Sequence, residues 1–168
     1  PRPYTEAETG KMDFDFQSAI LDLGGYLRPT IDSFPSAPNH AFLKPDPERI
    51  VFWKERMKAL GPRPKVGMIW QSKKALGGRG RWGASVEELA PILSIEGVDF
   101  INLMYIECND DRAKMQELYG VNLHTWDDID LKDDQDDLCA LISNLDVVVS
   151  HASSVAYTAA GLAIPTLV

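Results

Sequence analysis

Residues 145–168 read Leu145-Asp146-Val147-Val148-Val149-Ser150-His151-Ala152-Ser153-Ser154-Val155-Ala156-Tyr157-Thr158-Ala159-Ala160-Gly161-Leu162-Ala163-Ile164-Pro165-Thr166-Leu167-Val168. Three successive valines, a residue type suited to a pleated surface, predict a buried central strand over 147–149. Serine is a favoured helix cap, so Ser153 opens a predicted helix over 153–162. Its small residues, Ala156, Ala159, Ala160 and Gly161, suit close approach to a sheet. Thr166–Val168 reads as a further strand. Strand, helix and strand at this spacing make a crossover unit, and crossover units build parallel sheets.

The same alternation runs upstream to Lys65. Val66–Trp70 reads as a buried strand. Ser85-Val86-Glu87-Glu88 has capping-box spacing and opens a helix carrying Leu89, Ile92 and Leu93. Pro91 should kink that helix or delay its regular start. Val98–Tyr105 is a second strand, Asp110–Tyr119 a helix closed by Gly120, and Val121–Trp126 a weaker third strand. Asp137–Leu145 is a helix, with Asp136 or Asp137 as its cap. Ahead of this region, Asp46-Pro47 is a capping residue followed by proline at a first helical position. Ile50, Trp53, Met57 and Leu60 then form an apolar stripe that Gly61-Pro62 ends. Residues 1–45 carry weak periodicity and turn signals, with a short helix expected around Phe16–Leu23. The fold class is therefore α/β: a Rossmann-like parallel sheet flanked by helices.

Composition narrows the partners. The chain holds 168 residues, room for one domain with an appended segment, and is 45% hydrophobic and 25% charged, which excludes disordered and fibrous classes. Its 25 acidic against 17 basic residues give a net charge of −8, unsuited to bulk nucleic-acid binding. No apolar run approaches membrane-spanning length. Cys108 and Cys139 have no metal-ligand spacing and make no disulfide scaffold, which suits a reducing, cytoplasmic setting. The chain opens at Pro1 without methionine and closes on an apolar strand-like run. The expectation is a piece of a longer protein, truncated at both ends.

In open parallel sheets ligands bind beyond the carboxyl ends of the strands, and two predicted loops there carry chemistry. One is 71–82, Gln71-Ser72-Lys73-Lys74-Ala75-Leu76-Gly77-Gly78-Arg79-Gly80-Arg81-Trp82. Its four cations, Lys73, Lys74, Arg79 and Arg81, stand in a stretch without any acid from Val66 to Val86. Glycines admit a ligand close to the backbone and cations bond phosphate oxygens, so the loop suits an anion. A solvated basic loop has the same composition. The second loop is 150–155, where the helix start turns N–H groups and the positive end of its dipole toward the cleft. Ser153, Ser154 and Val155 would hold phosphate there, unless the serines only cap the helix. His151 has no nucleophile and orienting acid arranged with it, and reads as structural. Trp70 and Trp126 read as packing residues; Trp82 reads either as packing or as a wall of the ligand cleft. The seven aspartates of Asp127–Asp137 lack the glycine and terminal glutamate of a calcium loop and read as a solvated acidic turn. No G-x-G-x-x-G, P-loop or G-x-S-x-G motif is present.

Several stretches together resemble the carboxy-terminal half of GT-B glycosyltransferases. They are Phe42-Leu43-Lys44-Pro45-Asp46-Pro47-Glu48-Arg49 with Trp53, Val66-Gly67-Met68-Ile69-Trp70, and Asp137 through Ser150, followed by Ser153-Ser154-Val155-Ala156 and Gly161 to Pro165. The chain is most similar to bacterial glycosyltransferases that follow tetratricopeptide repeats, related to the heptosyltransferase and O-linked N-acetylglucosamine transferase families. Phe14-Asp15-Phe16-Gln17 and Ile31-Asp32-Ser33-Phe34-Pro35 resemble the end of the amino-terminal half. The resemblance implies three parts: 1–45 as the end of that half or a linker, 46–64 as the interdomain helix and turn, and 65–168 as the nucleotide-sugar-binding domain.

It further implies an inverting, metal-independent transferase without cofactor, whose substrate is a nucleotide-sugar donor and whose acceptor is a protein or glycan. Ser153, Ser154 and Val155 with Gln71, Lys73, Lys74, Arg79 and Arg81 would hold the diphosphate. Tyr105, with Met104, would line the base or ribose. The general base would come from the other half, so no catalytic residue is assigned. The family carries an acid, then threonine, then a histidine four residues on; the positions here are Ala152, Ser153 and Tyr157. That departure keeps a second reading open, a non-catalytic scaffold module beside tetratricopeptide repeats. Whether the chain is an enzyme stays open at this point. A response-regulator receiver is disfavoured, because no aspartate ends Val66–Trp70 or Val98–Tyr105.

Overall fold

The computed structural model describes residues 18–20, 22–34, 41–71 and 83–168. The chain divides into two compact units, Pro1–Asn39 and His40–Val168. In the first, helix α1 covers Asp22–Leu27 and a single 3-10 turn covers Ile31–Ser33. Of the helix expected around Phe16–Leu23, residues 18–20 are not helical, Asp22 and Leu23 are, and residues 16, 17 and 21 lie outside the described residues. Nothing on α1 is buried, so local bonds, not an apolar stripe, set its bounds. Asp22 N–H donates to the Ala19 carbonyl and Arg28 N–H to Gly24, at 2.9 and 2.8 Å.

The second unit opens with α2, Pro47–Ala59, whose cap Asp46 accepts from Glu48 and Arg49 N–H at 2.7 and 3.3 Å. There follow β1 (Lys65–Ile69), α3 (Ala90–Leu93), β2 (Asp99–Asn102), α4 (Asn109–Tyr119), α5 (Gln135–Ile142), β3 (Val147–Ser150), α6 (Ser154–Gly161) and β4 (Thr166–Leu167). All pairings are parallel in the order β2-β1-β3-β4. Val66 sits opposite Phe100 on one side and Val147 on the other, and Val148 opposite Thr166. The expected α/β class with a parallel sheet flanked by helices is the architecture found.

Local chemistry explains most boundaries. Ser85 and Glu88 form the capping box, with Glu88 N–H donating to Ser85 Oγ at 3.2 Å and Ser85 N–H to Glu88 Oε2 at 2.8 Å. Pro91 delays the regular helix, which starts only at Ala90. Gly120 closes α4 in the left-handed region, φ 66°. The predicted strand 98–105 ends at Asn102, whose side-chain oxygen accepts from Met104 N–H at 2.9 Å and turns the chain. Val121–Trp126 contributes one parallel bridge, His124 to Ile101. The α5 cap is Asp134, not Asp136 or Asp137: its Oδ1 accepts from Asp137 N–H at 3.0 Å. Asp137 is itself buried and engaged by α2, which takes it out of the solvated acidic turn.

β1 is buried along its whole length, as a strand covered on both faces must be. At its centre Gly67 leaves room for its neighbours: a Cβ there would meet Leu145 Cδ1 at 2.6 Å and Leu103 Cδ1 at 2.7 Å. The core joins Met68, Ile69, Ile101, Leu103, Leu141 and Val148. Trp53 of α2 is 0% exposed, meets Trp126 edge-to-face at 5.2 Å, and donates from Nε1 to Asp137 at 2.7 Å.

Candidate functional site

Strand order locates the site. From β1 the chain crosses to β2 on one side; from β3 it crosses to β4 on the other. The order therefore reverses between β1 and β3, and a crevice opens beyond the carboxyl ends of strands at such a point. A cavity of about 310 Å³ lies there. Met68, Ile69 and Trp70 form one wall, Ala84 and Leu89 another, and Ser150, His151 and Ala152 a third.

The second loop lines this cavity through Ser150, His151 and Ala152, and the first is represented there by its flanking residues, Trp70 and Gly83. The ends of the first are tied together: Ala84 N–H donates to the Trp70 carbonyl at 2.9 Å. Gln71 is half-buried beside them, its Nε2 3.4 Å from Asp111 Oδ2 and 3.5 Å from the Ala84 carbonyl. Lys73, Lys74, Arg79, Arg81 and Trp82 lie outside the described residues.

The second loop is held by a short relay. Ser150 Oγ donates to the His151 carbonyl at 2.6 Å and lies 2.8 Å from Ser153 Oγ. With the Ser150 hydrogen used, the Ser153 hydroxyl donates to Ser150. Ser153 Oγ in turn accepts from Ala156 N–H at 3.4 Å, so Ser153 is the cap of α6. Its hydroxyl is committed to the fold. Ser154 and Val155 are the first two helical residues, and their N–H groups have no partner among the described residues. The Ser154 side chain is exposed while Val155 is buried. Two backbone donors thus stand at the positive end of an eight-residue helix, next to the cavity wall.

Tyr105 stands elsewhere. It lines a second cavity, of about 620 Å³, beyond the end of β2 with Met104, Asn102, Arg112 and Trp126. Sequence reasoning missed Asp111 altogether. In the first turn of α4, it accepts from Trp70 Nε1 at 2.8 Å and fixes the indole at the cavity wall. Trp70 is buried, as a packing residue should be. No local signal announces a bond spanning 41 positions.

Most carboxylates of the acidic stretch are bonded within the fold. Asp128 receives both Nη groups of Arg56, Asp130 Oδ1 accepts from Lys132 and Asp133 N–H at 2.9 Å each, and Asp133 pairs with Lys132. Among the described residues no group of three or more His, Cys, Asp or Glu side chains could hold a metal ion. No described helix is long and apolar enough to cross a membrane.

Comparison with known proteins adds the following. The chain is 38% identical over 152 residues to Protein FlbA of Caulobacter vibrioides, a match covering 90% of this chain and 25% of FlbA. The chain thus spans about a quarter of the length of that curated relative. Among solved structures, E. coli ADP-heptose lps heptosyltransferase II superposes with TM-score 0.53 at 18% identity, over 83% of this chain and 42% of that one. The two share a fold, that of the GT-B glycosyltransferases. A second heptosyltransferase, E. coli WaaC with ADP-2-deoxy-2-fluoro heptose, gives TM-score 0.45 at 12% identity, over 67% of this chain and 35% of that one. No family model matches the chain.

Proposed function

We propose that the chain is the donor-binding half of a glycosyltransferase that moves a sugar from a nucleotide-sugar to a protein or glycan acceptor. In this reading the diphosphate lies over the start of α6, bonded by Ser154 and Val155 N–H with the Ser153 turn behind them. Lys73, Lys74, Arg79 and Arg81 neutralise charge that builds on the leaving diphosphate as the glycosidic bond breaks. Gln71, held against Asp111 and Ala84, sets the start of that cationic loop. The cavity beside Tyr105 and Met104, at the end of the neighbouring strand, takes the nucleoside. A cytoplasmic location and adjoining tetratricopeptide repeats belong to the same reading of the longer protein.

One observation carries this best. Trp70 and Gly83, which flank the cationic loop, and the turn into α6 border a single cavity where the strand order reverses, which is where an anionic ligand of such a sheet is expected. The shared fold with ADP-heptose lps heptosyltransferase II supports it.

The test is calorimetric titration of the full-length protein with UDP, ADP, GDP and CDP. Saturable binding to at least one, weakened when the α6 start is altered, is the expected result. Binding to none of them, or binding indifferent to loss of the Ser154 N–H in Ser154→Pro, rejects the reading. The scaffold alternative draws on Ala152 and Tyr157, both exposed on the turn and first helical residues where the resembled family has an acid and a histidine. Sugar transfer that appears only in the Ala152→Asp/Tyr157→His double variant favours that alternative.

A further inference from the structure

The cavity beside Tyr105 has two unlike walls. One comes from the turn after β2 and the start of α4, with Asn102, Tyr105, Asn109 and Arg112; the other is a single stretch, residues 125–132. That stretch carries no helix or strand of its own. Within it, Asp130 Oδ1 accepts from Lys132 and Asp133 N–H at 2.9 Å each, bonds that shape a local turn. Among the described residues, the hydrogen bonds that tie 125–132 to a distant element all come from Arg56 on α2.

Arg56 Nη1 donates to Asp128 Oδ1 at 2.7 Å and Nη2 donates to Oδ2. The same guanidinium lies 4.4 Å from the centre of the Phe52 ring and 5.0 Å from that of Trp53. Arg49 stands over the Phe52 ring as well, at 4.0 Å, and forks onto Asp137. Two guanidiniums thus share one ring, and each is aimed at one end of the acidic stretch. A solvent-facing ion pair ordinarily adds little, but a forked and networked one is the exception. Stacking on a ring holds the planar fork in place, so forming its bonds costs less side-chain freedom.

We propose that Arg56 is a positioning residue for ligand binding in this cavity: through its fork onto Asp128 it holds the 125–132 wall at the separation from Tyr105 that a nucleoside fills. The inference rests on the nucleotide-sugar reading above. It gives α2 a part in donor binding, although among the described residues lining the cavity none belongs to α2. Without the fork, the wall keeps the edge-to-face contact of Trp126 with Trp53 and its own local turn. An incoming ligand then has to order the wall, and that ordering is subtracted from its affinity.

The experiment titrates the full-length protein with UDP, ADP, GDP and CDP by calorimetry, well below the melting midpoint. The variants are Arg56→Ala, Arg56→Lys, Asp128→Ala and the double variant Arg56→Ala/Asp128→Ala. Lys58→Ala is the control, since it removes a cation of the same helix that pairs with Glu55 at 3.6 Å. In Arg56→Ala the affinity for the best-bound diphosphate should fall about threefold to tenfold, and in Lys58→Ala it should hold. Arg56→Lys should recover little, because a point charge does not fork onto a carboxylate. In the Asp128→Ala background, removing Arg56 should add no further loss, the mark of an effect routed through that carboxylate. A merely structural Arg56 would lower the melting midpoint and leave the affinity of the folded protein where it was. Unchanged affinity in Arg56→Ala, full recovery in Arg56→Lys, an equal loss in Lys58→Ala, or the same loss with Asp128 already gone overturns the positioning role while leaving the donor reading intact. Failure of the unaltered protein to bind any diphosphate is the separate outcome that removes the donor reading, and this inference with it.

Discussion

Arg49 on α2 and Asp137 on α5, 88 residues apart, meet through two parallel hydrogen bonds, Nε to Oδ1 at 2.6 Å and Nη2 to Oδ2 at 2.7 Å. Trp53 Nε1 donates to the same Oδ1 at 2.7 Å. Three donors on one helix thus converge on a carboxylate of another, and α2 is fixed to the sheet's helical layer. Burial alone would raise the Asp137 carboxyl, but the bonds from Arg49 and Trp53 hold it below its ordinary value.

Asp137→Ala leaves the fully buried Trp53 indole N–H without an acceptor, at a cost of about 1–3 kcal/mol at neutral pH. The sign of the pH effect follows from the depressed value. A carboxyl lowered on folding stabilises above its unfolded pKa, and that contribution is lost as pH falls through the folded one. Urea denaturation should therefore show the gap between native and variant proteins closing below about pH 4, where an unfolded aspartate takes up its proton.

Ser154→Pro separates the helix start as a structural feature from the helix start as a binding site. Proline is well tolerated at a first helical position, and the preceding Ser153 has the extended backbone, φ −143° and ψ 167°, that a residue before proline requires. The substitution deletes one N–H while sparing the cap. Thermal stability should stay within about 0.5 kcal/mol of the native protein, while nucleoside diphosphate affinity falls roughly threefold to tenfold or more. Ser153→Ala should do the reverse in stability, losing about 0.5–2 kcal/mol with the cap. Melting curves and calorimetry on both variants check the split.

The parts of this fold that are legible in the sequence are those whose chemistry is local. The Asp46-Pro47 start, the Ser85/Glu88 box, Gly120 and the Ser153 cap each use bonds reaching four residues or fewer, and Val147–Val149 announces its strand by residue type alone. The illegible parts depend on distant partners. Seven aspartates between 127 and 137 offer the same capping chemistry, and what selects Asp134 is that Arg49 and Trp53 have claimed Asp137. The apolar run to Tyr105 looks like strand, because burial and ladder pairing demand the same residues; Asn102 ends the strand with a single side-chain bond. The site divides in the same way. Ser153 and its turn are visible from capping rules, whereas the Asp111 carboxylate that fixes the Trp70 indole at the cavity wall stands 41 positions from it in the sequence.

Ala163 offers a gain in stability. Ile164 N–H donates to the Ala159 carbonyl at 2.9 Å and Ala163 N–H to Ala160 at 3.0 Å, the paired bonds of a Schellman ending. That geometry puts Ala163 at φ 59°, in the left-handed region where glycine is usual. Ala163→Gly relieves about 1–2 kcal/mol of Cβ crowding and gives back about 0.4–1 through a freer unfolded chain. A net gain of roughly 0.5–1 kcal/mol is expected, read as a raised urea midpoint at constant slope.

Lys65 and Asp99 should rank unequally when one of them is removed. Lys65 Nζ is buried and donates to Asp99 Oδ2 at 2.9 Å, to the Gly61 carbonyl at 2.9 Å and to the Arg63 carbonyl at 2.5 Å. Among the described residues Asp99, also buried, has besides Lys65 only the Arg63 guanidinium, at 4.0 Å and largely in solvent. Without Asp99 the ammonium keeps two carbonyl partners; without Lys65 the carboxylate keeps a distant, solvent-screened one. Breaking a buried pair from one side costs about 3–5 kcal/mol when the remaining charge is uncompensated. Lys65→Met should approach that figure and Asp99→Ala fall clearly short of it. Equal losses in urea denaturation would mean that the two carbonyls contribute nothing to holding the ammonium between β1 and β2.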